Sequence, residues 1–143
     1  MAKRAASPAA KPPAPPRAGS RGRVLLADDS VLTCELFGEY LTARGFAVEV
    51  AHDGESALEG AVSTKPDLIV IDISMPRLDG VMAIHRLKAD ARTRDIPVVV
   101  LTGHVASPRQ PEAMKAGAAA FITTPCLPEE IERVIDALLT RAA

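Results

Sequence analysis

Tryptophan is absent from this chain, and the other aromatics amount to one Tyr and three Phe in 143 residues. A core built under that constraint rests on Ala, Val, Leu and Ile, and the length suits one domain with such a core. No apolar run approaches the roughly 20 residues that a membrane-spanning helix needs. The N-terminus has no apolar segment of the kind a secretory signal requires. Cysteine is scarce too. Cys34 and Cys126 stand far apart and match no metal or redox spacing, which reads as two reduced thiols in a cytoplasmic protein.

Acidic residues are missing from the first 23 positions, where six basic side chains stand: Lys3, Arg4, Lys11, Arg17, Arg21 and Arg23. Residues 24–143 hold the other 11 of the 17 basic groups against all 18 acidic ones, a net charge of −7. An acidic folded part argues against nucleic acid as its partner. Residues 1–21 are mostly Ala, Pro, Lys, Arg and Ser, a composition that cannot bury a core. A disordered tail is expected over 1–21 and a folded domain over 22–143. Five prolines in the tail argue against the amphipathic helix of an organelle transit peptide. The tail is either a solubilising segment or an electrostatic contact for an acidic partner, nucleic acid or a membrane surface.

From Arg23 onward, strand and helix patterns alternate five times. Short apolar runs at 24–27, 68–71 and 98–101 have no polar alternation, which suits strands buried on both faces. Residues 47–51 alternate weakly and suit a further strand, and 118–122 reads as the fifth. Ser30 caps a helix to about residue 44, with Leu32, Leu36, Tyr40 and Leu41 on its apolar face. Helices follow over about 55–63 and 80–88. A short one starts near Pro111, and a last one runs from Pro128 to about residue 141 with Ile131, Val134, Ile135, Leu138 and Leu139 as its buried stripe. This is the pattern of a single doubly wound α/β domain with a parallel sheet.

Polar residues punctuate the strand ends. The first strand delivers Asp28 and Asp29, the third Asp72, the fourth Thr102 and the fifth Thr124. A parallel sheet puts all of these on one edge, where ligands bind. Three converging carboxylates repel one another unless a hard cation joins them, and Mg²⁺ suits such a site. A carboxylate beside bound Mg²⁺ can attack phosphorus, so Asp72 is a candidate nucleophile for aspartyl phosphate formation. The Thr102 hydroxyl then donates to a phosphoryl oxygen.

Four pieces, Val24-Leu-Leu-Ala-Asp-Asp-Ser30, Asp72-Ile-Ser-Met-Pro-Arg-Leu-Asp-Gly80, Val98-Val-Val-Leu-Thr-Gly103 and Ala116-Gly-Ala-Ala-Ala-Phe-Ile-Thr-Thr-Pro125, stand in this order at family-like spacings. With them the chain resembles the receiver domains of bacterial two-component response regulators from about residue 23 to 141. The resemblance implies a CheY-like (βα)5 fold, flavodoxin-like, with strand order 2-1-3-4-5. It implies Asp72 as phospho-acceptor and Asp28, Asp29, Asp72 and the Ser74 backbone carbonyl as Mg²⁺ ligands. Thr102 takes the place of the switch hydroxyl and Phe121 that of the aromatic switch. The phosphoryl donor implied is a histidine kinase or phosphotransfer protein. A downstream protein target would read the face made by the fourth helix, fifth strand and fifth helix. The protein is expected to be a signalling component and not an enzyme. Few residues follow Leu139, so a stand-alone regulator is expected.

One position departs from the family pattern. Thr124 stands where the family has a lysine before the proline that follows the fifth strand. Threonine offers a hydroxyl and no charge for a phosphoryl oxygen. Two readings therefore stand side by side: a phosphorylated single-domain regulator, and a receiver-like interaction module that works without phosphorylation. Ser74 and His104, two residues after Asp72 and Thr102, resemble positions that tune dephosphorylation. His52 and His85 read as surface residues. A metal-dependent phosphatase is weaker, because the common pattern has a second Asp where this chain has Ser74.

Overall fold

The computed structural model describes residues 20–142; the tail expected to be disordered lies, over 1–19, outside the described residues. Five parallel strands form one sheet: β1 (Arg23–Ala27), β2 (Ala47–Ala51), β3 (Leu68–Ile71), β4 (Val98–Gly103) and β5 (Ala120–Thr124). Their spatial order is β2-β1-β3-β4-β5, as the resemblance implied. The helices are α1 (Val31–Ala43), α2 (Gly54–Thr64), α3 (Gly80–Ala89), α4 (Gln110–Ala116) and α5 (Pro128–Ala142).

Successive residues of a strand point to opposite faces, and here both faces are apolar. Leu25, Ala27, Ile69, Ile71, Val98 and Val100 pack with Ala57, Ala61, Val81, Ile84 and Ala113 from α2, α3 and α4. Val24, Leu26, Leu68, Val70, Val99 and Leu101 pack with Cys34, Leu41, Ile131 and Ile135 from α1 and α5. The three central strands therefore serve two cores at once. This is why their sequences run apolar without a break.

Helix α1 buries only part of the face expected: Leu41 is in the core and Tyr40 packs against it, but the first two turns differ. Leu32 and Leu36 are 65% and 59% exposed, whereas Cys34 and Leu41 are buried and Phe37 packs against the same core. Rows 32–36–40 and 34–37–41 are both helical rows, and the apolar residues occupy both. Packing selected the row that carries Phe37.

Strand β5 also begins later than its composition suggests. Gly117 has φ +123°, the Ala118 N–H donates to the Ala113 carbonyl at 3.1 Å, and only Ala119 joins the ladder, to Val98 O at 2.7 Å. The strand consequently includes Thr123 and Thr124, paired with Thr102 and Gly103. Residues His104–Arg109, ahead of the short helix expected near Pro111, form a 3₁₀ helix that leads into α4.

Arg21, grouped with the tail by composition, is held on the folded domain. Its N–H donates to Gly45 O at 2.9 Å, and its guanidinium lies 4.5 Å from the centroid of the Phe46 ring. The same guanidinium pairs with Glu132 and Asp136 of α5.

Candidate functional site

The ladder carries the backbone one step beyond β1 and β3 and fixes two carboxylates at the sheet's edge. The Asp28 N–H donates to Ala51 O at 3.0 Å and the Asp72 N–H to Ala27 O at 2.9 Å. The loop after Asp72 is pinned by its buried side chains Ile73 and Met75. Gly80 closes that loop, donating to Ile73 O at 2.8 Å. A Cβ on Gly80 would stand 2.5 Å from the Asp72 carbonyl oxygen, so only glycine lets α3 start this close to the site. Asp79 caps that helix, accepting from the Val81 and Met82 N–H groups.

One oxygen from each of Asp28, Asp29 and Asp72 falls within 4.8 Å of the others. Asp28 is buried, Asp72 is half-buried and Asp29 is exposed. Burial pushes the Asp28 carboxyl up to about 6, the charges of Asp72 and Asp29 push the same way, and the Ser30 N–H donating to its Oδ1 at 2.8 Å opposes them. Among the described residues, no Lys or Arg side chain is hydrogen-bonded or ion-paired to any of the three. This concentrated negative charge, offered entirely by oxygen, is the donor chemistry that Mg²⁺ takes.

Asp72 Oδ1 accepts two hydrogen bonds, from the Thr102 hydroxyl at 2.7 Å and from the Ser74 N–H at 3.1 Å. Thr102 is buried on β4, and its carbonyl accepts the Thr124 hydroxyl at 3.4 Å from the neighbouring strand. The Thr124–Pro125 peptide bond is cis. Asp28, Asp29, Asp72, Ser74, Thr102 and Thr124 thus gather at one end of the sheet. Phe121 lies further down β5, opposite Val100 and packed against the core beneath α2, α3 and α4. His104 is exposed in the 3₁₀ helix, and His85 is exposed on α3.

Two neighbours of the site escaped the sequence reading. His52 Nδ1 lies 3.0 Å from the Asp28 carbonyl oxygen, which also accepts the Cys34 thiol at 3.4 Å. No side-chain motif could announce a contact made to backbone. Arg77, in the loop between β3 and α3, has φ +72° and reaches Glu55 at 3.2 Å and Asp53 at 3.8 Å. It ties the loop of the site to the first turn of α2.

A doubly wound sheet in this strand order, with an acidic cluster and a buried threonine at its carboxyl edge, defines a signalling receiver. The chain belongs to the response regulator receiver domain family of two-component signalling, whose pattern matches residues 24–136. Among curated proteins it is similar to the response regulator MprA of Mycobacterium ulcerans (strain Agy99), 36% identical over 119 residues, which cover 83% of this chain and 50% of that protein. The chain spans about half the length of the curated relatives it matches. Among solved structures it is similar to the receiver domain of Francisella response regulator 1452, with TM-score 0.79 and 28% identity, covering 86% of this chain and 100% of that one. It is similar also to the receiver domain of a signal transduction histidine kinase from Syntrophus aciditrophicus, with TM-score 0.77 and 31% identity, covering 83% of this chain and 90% of that one. Among the described residues, no helix is long and apolar enough to cross a membrane.

Proposed function

We propose that the chain is a single-domain, cytoplasmic response regulator that accepts a phosphoryl group on Asp72 and signals by protein contact without turning over a substrate. The observation that carries this reading is the group of three carboxylates within 4.8 Å, with Thr102 hydrogen-bonded to Asp72. Asp28, Asp29, Asp72 and the Ser74 carbonyl would hold Mg²⁺. When bound, that ion offsets the negative charge of the carboxylates and of the phosphoryl oxygens. Two donors orient Asp72 through Oδ1, and Oδ2 accepts none among the described residues, which leaves it for attack on phosphorus. With a phosphohistidine donor, the new O–P bond forms as the N–P bond breaks. The electron pair returns to the imidazole nitrogen, which takes a proton from water.

Thr102 then serves the acyl phosphate. Its hydroxyl already sits 2.7 Å from Asp72 Oδ1, so a small shift transfers it to a phosphoryl oxygen. Movement of Thr102 on β4 is felt by β5, and the face formed by α4, β5 and α5, with Phe121 at its inner side, is the surface offered to a downstream protein. The donor is a histidine kinase or phosphotransfer protein.

A second reading rests on Thr124. With a threonine at 124 and no basic side chain paired to the cluster among the described residues, the phosphoryl charge has one partner fewer, and the domain serves as a receiver-like module that binds partners unphosphorylated. Intact-protein mass after incubation with Mg²⁺ and acetyl phosphate separates the two. The first reading expects a gain of one phosphoryl group that Asp72→Ala abolishes. A gain only in Thr124→Lys favours the second, and no gain in any of them overturns the assignment of Asp72. Steady hydrolysis of a phosphomonoester would overturn the non-enzymatic role.

A further inference from the structure

Along the outer edge of the sheet, α1 and the edge strand β2 leave a groove of about 620 Å³. Val31, Gly38, Val48 and Val50 form its apolar surface, and Glu35 and Glu39 line its α1 side. No described basic residue is ion-paired to Glu35 or Glu39. Gly38 sits in the interior of α1, where alanine is the better helix former. A Cβ there would meet only Val48 Cγ1 at 3.8 Å, so no clash within the fold demands the glycine. What the glycine provides is the open groove itself.

The chain outside the described residues leaves the domain at the lower mouth of this groove. The Arg21 N–H donates to Gly45 O, and the Gly22 carbonyl accepts the Ala47 N–H, both at 2.9 Å. These contacts hold the exit between the end of α1 and the start of β2. Arg21 is anchored further by Arg44 O, Glu132 and Asp136. Upstream stands Lys11-Pro-Pro-Ala-Pro-Pro-Arg17, with a basic side chain at each end and no acidic residue anywhere before it. Seven residues of extended proline-rich chain reach about 20 Å, and the 13 residues of α1 rise by a similar ~20 Å.

We propose that the segment Lys11–Arg17 of the chain's own tail docks in the groove between α1 and β2. Its prolines lie on Val31, Val48 and Val50, and its two cations, one at each end, fold their long side chains back toward Glu35 and Glu39, which stand one helical turn apart. Proline suits this occupant because its fixed φ lowers the cost of ordering the segment. The docked segment also covers the unpaired outer edge of β2, which would otherwise be open to pairing with another chain.

Amide NMR of the full chain tests this, with Lys11→Glu and Arg17→Glu introduced together so that the folded domain is untouched. The Gly38, Thr42, Val48 and Val50 amides are expected to shift relative to wild type. Those of Val62 and Ala89, which line a groove on the opposite face between α2 and α3, are expected to stay in place. Adding Glu35→Lys and Glu39→Lys to the tail variant makes the charges opposite again and should return the Val48 and Val50 amides toward their wild-type positions. Identical groove amides in wild type and the tail variant overturn the proposal. So does a difference that grows with protein concentration, which would place the tail of a second copy in the groove.

Discussion

The Thr102 hydroxyl and Asp72 Oδ1, brought from adjacent strands, are joined by a hydrogen bond of 2.7 Å. Replacing Thr102 by Val keeps the volume and removes the donor, leaving the carboxylate with the Ser74 N–H alone. A bond to a charged acceptor of this kind contributes about 1.5–3 kcal/mol. The urea midpoint of Thr102→Val should fall accordingly, and Thr102→Ser should recover most of it. Phosphorylated Thr102→Val should also leave the Phe121 amide where it stands in the unmodified form.

Asp28 ties stability to both pH and metal. Held up to about 6, its carboxyl binds a proton more firmly in the folded chain than in the unfolded one. The stability it contributes is fully present below the ordinary carboxylate range and is lost as pH rises through about 6. Metal-free Asp28→Asn should therefore melt above wild type at pH 7.5. Mg²⁺ should raise the wild-type Tm at pH 7.5, raise it much less at pH 5, and do little for Asp28→Asn. Thermal scans with and without MgCl₂ check all three.

Two glycines should respond in opposite directions to the same change. Gly80→Ala drives a Cβ to 2.5 Å from the Asp72 carbonyl oxygen and 2.6 Å from Ile73 Cα. Displacing that backbone should cost about 3 kcal/mol and disturb Mg²⁺ binding with it. Gly38→Ala meets nothing closer than 3.8 Å and should add ~0.5–1 kcal/mol through helix propensity. Urea denaturation of the two variants gives the comparison directly.

Glu132 should govern acid unfolding at the seam between α1 and α5. It accepts from Arg21, Tyr40 and Arg44, which hold its carboxyl down to about 2. A lowered carboxyl contributes stability that is present above the ordinary range near 4.5 and is lost as pH falls through about 2. Tm should drop between pH 4.5 and pH 2 in wild type, and Glu132→Gln should show a lower Tm at pH 7 with a flatter acid limb.

Much of this architecture is legible in the sequence because a buried parallel strand is hard to disguise. Leu68 to Ile71 and Val98 to Leu101 admit no amphipathic reading, and the polar residue after each run marks the edge of the sheet. The same logic places Asp28, Asp29, Asp72 and Thr102 together at one edge of the sheet from the sequence alone. It failed where two choices were locally equal. Leu32 and Leu36 make as good an apolar row as Cys34, Phe37 and Leu41, and only the neighbouring α5 and sheet distinguish them. The start of β5 was hidden in the alanines at 118–120, whose side chains carry no periodicity. Arg21 looked like tail because its partners, Glu132 and Asp136, lie more than a hundred residues away.

The far side of the sheet has a further consequence. No residue of β5 is fully buried, α4 has seven residues, and the 3₁₀ helix before it buries none of its side chains. Little apolar surface of β5 and the 3₁₀ helix must leave its neighbours for them to rearrange, so their local opening free energy should lie below that of β1 and β3. Amide hydrogens there should exchange with solvent long before those of the central strands. A hydroxyl moving by an ångström at Thr102 pushes against a half-buried edge strand, and the shape change it starts needs only a small driving force to spread.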